Sequence, residues 1–242
     1  ELEQSENPLF FFDDDEDGLC SFLLLWRHVK RGHGIVIKGP PSVPLNFLHK
    51  VEEYKADKLF ILDKAKLDQE FIDQTKVPIL YLDHHPLQDL KGIKYYNPLK
   101  YDKDDSRPTS YWAYQIAKEN LWIAIVGMVG DWHIPKEELD EFKKLYPELL
   151  PKKVTPGEIL FNSKLGELAK IFNFCLKGPT KSSLQCIKVL TRIETPEEIL
   201  EQTTPRGKFI YKHYEKINKR YKKRLEDALK TKSDSKLLVY TY

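Results

Sequence analysis

An unbroken acidic run, Asp13-Asp14-Asp15-Glu16-Asp17, is followed along the chain by Asp63, by Asp83-His84-His85 and by Asp131. Each group comes at or just after the end of an apolar segment. Carboxylate oxygens and imidazole nitrogens are ligands for Mn2+, Mg2+ or Zn2+, and the lack of a thiolate in the set favours a harder or borderline metal over a structural zinc. Several carboxylates within a few ångströms cannot all be ionised without a cation to offset their repulsion. Two divalent ions about 3.5–4 Å apart would do this, and would clamp the attacking and leaving oxygens at a phosphoryl centre. Taken singly, each group has a plainer role: the acidic run suits a helix N-terminus, Asp63 a cap, and His84-His85 a turn. Their shared position after apolar segments favours one joint site.

The elements that must bring these groups together are legible in the patterning. Short apolar runs at 9–12, 34–38, 58–62 and 78–82 predict strands, with 93–96 adding a fifth. Helical segments at 18–30, 45–54 and 68–75 fall between them. This alternation predicts an α/β fold with a parallel sheet covered on both faces. Ligands of such sheets bind beyond the carboxyl ends of the strands, where Asp13, Asp63 and Asp83 fall. Further helices are predicted at 109–120, 121–129 and 135–146. The pattern T-P-x-E at Thr155 and at Thr195 predicts two more helix starts, each with a Thr cap, a first-turn Pro and a reciprocating Glu. Pro205 and Gly207 precede a last helix, and 236–242 reads as a terminal strand. In that helix Ile210, Tyr214, Ile217, Tyr221, Leu225 and Ala228 form one stripe for docking. The other side offers Lys212, Lys216, Lys219, Arg220, Lys223 and Arg224 to backbone phosphates.

Composition narrows the class. The 242 residues are 41% hydrophobic and 31% charged, enough apolar matter for a core and too much charge for a membrane-spanning chain. No run of 18 apolar residues predicts a transmembrane helix. Three dispersed cysteines without a CxxC pair predict a reducing, cytoplasmic setting. The 11 glycines form neither GxGxxG nor GxxxxGK[ST], which argues against a glycine-rich phosphate loop. The net charge of +2 conceals a segregation: 206–232 carries eleven Lys/Arg against three acids, leaving the remainder acidic. An acidic site beside a basic helix suits an enzyme acting on a polyanion; a merely solvated helix face is the plainer alternative.

In order, Asp13-Asp14-Asp15-Glu16-Asp17-Gly18, Asp63, Asp83-His84-His85 and Gly130-Asp131 resemble the four motifs of the DHH phosphoesterase superfamily. The helices up to residue 230 resemble the linker of its RecJ-like members. The segment Ser106-Arg107-Pro108-Thr109-Ser110-Tyr111 resembles a substrate-side segment of archaeal RecJ-like and Cdc45-like proteins. The resemblance implies an α/β fold: a parallel β-sheet DHH domain flanked by helices at 1–135, followed by a helical linker region with the basic long helix at 136–232. The expected strand at 233–242 would open a second domain, DHHA1, that is otherwise absent or truncated; its GGGH-type motif has no counterpart here.

The same resemblance implies two Mn2+ ions, or Mg2+, held by Asp13, Asp15, Asp17, Asp63, His84 and Asp131, with Asp63 bridging. It gives catalytic roles to Asp83, His84 and His85, Asp83 orienting a histidine and His85 contacting the phosphate. Arg107 and Ser110 would touch substrate. The implied activity is hydrolysis of single-stranded DNA or RNA, or of short oligonucleotides, by metal-activated water, as in a repair or replication exonuclease or a nanoRNase. Two alternatives come with the family: a Cdc45-like replication scaffold binding GINS and a helicase, and a small-molecule DHH phosphoesterase. Intact motifs favour the enzyme, and the basic helix favours a nucleic acid. Tyr95, Tyr96, Tyr101, Tyr111 and Trp112 are candidate stacking platforms for bases.

Overall fold

A computed structural model describes residues 1–231 and 238–241. Strands and helices alternate through Tyr96: β1 (Pro8–Asp13), α1 (Glu16–Val29), β2 (His33–Ile37), α2 (Leu48–Glu53), β3 (Lys58–Leu62), α3 (Gln69–Gln74), β4 (Ile79–Leu82) and β5 (Lys94–Tyr96). The rest of the described chain is helical: α4 (Thr109–Ala117), α5 (Leu121–Gly130), α6 (Lys136–Leu145), α7 (Pro156–Asn162), α8 (Lys164–Leu176), α9 (Thr180–Leu190), α10 (Pro196–Leu200) and α11 (Pro205–Leu229).

The five strands form one parallel sheet in the order β2-β1-β3-β4-β5, as the uninterrupted apolar runs predict. Phe12, Leu62 and Leu82 stand in register across β1, β3 and β4. The residues that follow them, Asp13, Asp63 and Asp83, therefore leave the sheet at one level. Strand order reverses between β1 and β3, which is where open α/β sheets leave a crevice for ligands.

Alternate residues of each strand serve different layers. Phe10, Phe12, Phe60 and Leu62 bury against α1, α4 and α5, while Leu9, Phe11, Leu59 and Ile61 bury against the α2 and α3 side. The first cluster continues through Phe172 of α8 and Leu190 of α9 to Ile210 and Tyr214 of α11. The helical extension thus shares a core with the sheet.

Several local expectations need correction. Residues 45–47 form a 3-10 turn before α2. Thr155 caps α7 through the Glu158 N–H at 3.4 Å, but Thr195 makes no such bond at α10. There the Glu198 carboxylate accepts from the Glu194 N–H and the Thr204 hydroxyl, each at 2.6 Å. The last helix starts at Pro205, so Gly207 lies inside it. Its stripe docks only in part: Ile210 and Tyr214 are buried, whereas Tyr221 and Leu225 are each 45% exposed. The 25-residue helix outruns the body on which it leans. Of the terminal strand expected at 236–242, residues 236, 237 and 242 lie outside the described residues, and 238–241 are not in a strand. Among the described residues no helix is long and apolar enough to cross a membrane, and the three cysteines are buried and free.

Candidate metal centre

The site is assembled by element ends. Asp15 is the N-cap of α1 and accepts the Gly18 N–H at 2.9 Å. Asp17, in the first turn, reaches across to the start of α4, where the Thr109 and Ser110 N–H groups donate to its two oxygens at 2.8 Å each. One carboxylate thus satisfies two orphan donors of another helix. A Cβ on Gly18 would stand 2.8 Å from backbone atoms of Asp13, so only glycine lets α1 press so closely on the end of β1. Gly130 works similarly at the far side: its Cβ would lie 2.7 Å from that of Glu16. The bare backbone there brings the end of α5, and with it Asp131, against the start of α1. Asp63 adopts a left-handed backbone at φ 58°, a conformation Asp tolerates better than most residues. Its Oδ1 accepts the Thr109 hydroxyl at 3.1 Å.

These placements converge on His84. Its Nε2 lies 3.3 Å from Asp63 Oδ1, 3.7 Å from Asp131 Oδ2 and 3.9 Å from Asp17 Oδ2. Potential ligand atoms of Asp17, His84 and Asp131 fall within 4.8 Å of one another, as do those of Asp63, His84 and His85. Asp83 is buried behind them. Its Oδ1 is 2.8 Å from His85 Nδ1, and its Oδ2 accepts from the His85 N–H and from Asn97 Nδ2, both at 3.2 Å. The carboxylate therefore fixes the orientation of the His85 ring. A cavity of about 320 Å³ opens beside the cluster, lined by His84, Pro86, Leu99, Asp131, Trp132 and His133 among others.

Burial raises the carboxyl pKa values of Asp15 and Asp17. It raises that of Asp63 well above the usual range, with the charges of Asp17 and Asp15 adding to the effect. Asp131 is pushed up to about 6 by burial and then by Asp17. The hydrogen bond that His85 donates to the Asp83 carboxylate raises the pKa of His85. Asp13 differs from the other acids. Its Oδ1 accepts from the buried Lys64 ammonium at 2.8 Å, so it already has a cation. No Lys or Arg pairs with Asp15, Asp17, Asp63 or Asp131 among the described residues. Crowded oxygen and imidazole donors without a balancing charge suit hard or borderline divalent cations.

The remaining expected contacts fare differently. Ser110 is fully buried. Its N–H donates to Asp17, so in this structure it positions that carboxylate. Arg107 is spent on its own loop: its guanidinium grips Asp105 at 2.8 and 2.5 Å, donates to the Tyr111 hydroxyl at 3.0 Å, and lies 4.4 Å over the Trp112 ring. The Tyr95 ring is stacked on Tyr81 at 4.6 Å with the Lys100 ammonium 3.9 Å from its centroid. Lys212, Lys216, Lys219, Arg220, Lys223 and Arg224 are all exposed on α11. Sequence reasoning missed Lys64 and Asn97, and had Thr109 only as a member of the substrate-side segment, with no role of its own. Lys64 had one signal, adjacency to Asp63; Asn97 and Thr109 reach the site only through tertiary packing.

No family model and no curated protein matches this chain. Solved structures do. RecJ from Thermus thermophilus in complex with Mn2+ superposes with a TM-score of 0.65 at 16% identity, covering 94% of this chain and 37% of that one. An exonuclease RecJ bound to manganese gives 0.63 at 16% identity, covering 92% and 64%. The DHH domain of a member of the S1p family of ribosomal proteins gives 0.64 at 14% identity, covering 94% and 60%. The chain spans less than two thirds of each of these three chains. At these identities the likeness is one of fold: the chain has the RecJ-like DHH fold.

Proposed function

We propose that this protein is a metal-dependent phosphodiesterase that hydrolyses single-stranded nucleic acid or short oligonucleotides. The reading is carried by one observation: Asp17, Asp63 and Asp131 converge on His84 at the carboxyl edge of the sheet, and among the described residues no Lys or Arg pairs with them. These four residues, together with Asp15, would hold divalent ions, Mn2+ in this reading. Bound there, the ions would acidify a water for attack and offset the charge of a phosphate. Asp13, engaged by Lys64, is left outside this ligand set.

The protein's own groups do the rest. Asp17 is locked by two N–H donors of α4, so its position does not wait for a metal. Asp83 holds His85 through Nδ1, which leaves Nε2 as the nitrogen for a phosphate oxygen. The same hydrogen bond keeps His85 protonated to higher pH than usual, as a group that contacts a phosphate or protonates a leaving oxygen should be. The exposed lysines of α11 would bind backbone phosphates beyond the reacting one.

The test is incubation of the protein with Mn2+ and end-labelled single-stranded DNA and RNA. The expected result is metal-dependent release of mononucleotides or short oligonucleotides, abolished by a chelator, with the first product reporting the polarity. Absence of hydrolysis of every such strand with either Mn2+ or Mg2+ overturns the reading.

A further inference from the structure

We infer that Trp132 and Phe161 form a stacking notch for a nucleobase, and that a bound single strand runs from it along the groove between α7, α8 and α11. The inference rests on the nucleic-acid reading above and names where that substrate lies. Trp132 directly follows Asp131 and holds φ at 60°, a backbone conformation that is costly for a bulky side chain and accumulates at functional sites. Burial of the indole does not compensate for this, because Trp132 is 59% exposed. Phe161, at the end of α7, is 75% exposed, and its ring centroid lies 6.1 Å from that of Trp132 with a 62° tilt. The tilt precludes a base sandwiched between parallel rings. A base lying flat on one ring would meet the other edge-on, a favourable aromatic geometry.

What lies beyond the pair gives the occupant its chemistry. A groove of about 770 Å³ is lined by Trp132, Phe161, Lys170, Tyr221 and Lys222, with Glu16 and Glu167 also in its walls. The Lys170 ammonium sits 4.7 Å over the Tyr221 ring. Rings interleaved with ammonium groups, starting at a carboxylate cluster, match a polymer that alternates flat bases with phosphates. Trp112 and Tyr111 are less available for stacking, since the Arg107 guanidinium lies over both rings.

The test compares binding of a labelled oligonucleotide of about 12 nucleotides with that of an abasic strand of equal length and charge, in chelator. The expected result is that the unmodified protein binds the base-bearing strand about 5- to 100-fold more tightly. Trp132→Asn and Phe161→Leu should each remove most of that ratio while binding the abasic strand as before. Asn accepts a left-handed backbone, so Trp132→Asn should fold with a Tm no lower than that of the parent. Phe161→Leu keeps apolar bulk and removes only the ring. If both variants retain the full ratio, or if a protein that hydrolyses oligonucleotides shows no ratio at all, the notch is refuted and the phosphodiesterase reading stands. If the unmodified protein neither binds nor hydrolyses either strand, the nucleic-acid reading falls and takes the notch with it.

Discussion

The carboxylates at the sheet edge and the lysines of α11 are opposite in charge and are held in opposite ways. Asp17 and Asp63 are buried, and their oxygens are fixed by groups of Thr109 and Ser110. Lys219, Arg220 and Lys223 stand in water on a helix whose outer half has left the core. Buried like charges that converge on one point keep their repulsion, because little solvent screens them, and they call for a compact multivalent counter-ion. Exposed like charges along a rod are screened within about 8–10 Å and tolerate one another. They suit an extended polyanion. In the proposed function the first arrangement would serve chemistry at an atom, the second grip along a chain.

The two regions should therefore respond to different perturbations. The largest effects belong to the centre. His84→Ala is expected to lower hydrolysis by at least about 10²-fold, since it removes a group within 4 Å of Asp17, Asp63 and Asp131. Asp83→Asn should cost about 10- to 100-fold by acting through His85. Its signature would be a pH–rate profile whose upper limb moves to lower pH, because the Asp83 hydrogen bond is what raises His85. Loss of rate with an unmoved limb would mean that Asp83 does not work through that ring.

The helix should respond to salt instead. Changing Lys219, Arg220 and Lys223 together to Ala should flatten the dependence of log affinity on log salt by up to about 2 units for a single strand, from about 0.7 per phosphate contact. Hydrolysis of a dinucleotide, too short to reach the helix, should stay as it was. Binding of a labelled 20-mer at several salt concentrations decides the matter. An unchanged slope would make this outer surface a spacer and move weight to a short-substrate phosphoesterase.

How much of this was legible beforehand follows from the same contrast. Strands and their order along the chain are written in continuous apolar runs, and acids at strand ends share a level because a parallel sheet keeps its strands in register. That local rule was enough to bring Asp63, Asp83 and His84 together. The partners that pin them were legible only in part: Thr109 stood in the expected substrate-side segment, but its approach to Asp17 and Asp63, like that of Asn97 to Asp83, depends on packing. The exposure of Tyr221 and Leu225 was hidden for a related reason. A helical stripe reports which side would dock, but not how far the body beneath it extends. Gly130 was noticed as part of a motif, while its physical role, the close approach of α5 to α1, appears only with both helices in place.

The smallest effect should be the most diagnostic of crowding at the centre. Without metal, Asp131 has its pKa pushed up to about 6 by burial and by Asp17, against about 3.9 in the unfolded chain. It also stands at the C-terminal end of α5, where the helix dipole disfavours a negative charge. A raised carboxyl binds its proton in the fold after the unfolded chain has released it. Stability therefore falls as pH rises from about 4 to about 6, and the contribution is lost above that window. The side chain is 39% exposed, so solvent screening should reduce the penalty at pH 8 to about 1 kcal/mol. Asp131→Asn removes the charge and keeps the shape. The metal-free variant should melt about 2–4 °C higher than the parent at pH 8, and the gap should close near pH 4. Saturating Mn2+ should reverse the order, since a ligand at a hundred times its Kd stabilises the intact site by about 2.7 kcal/mol and the weakened site by less. A melting difference independent of pH and of Mn2+ would show that Asp131 is neither strained by its neighbours nor a ligand with them.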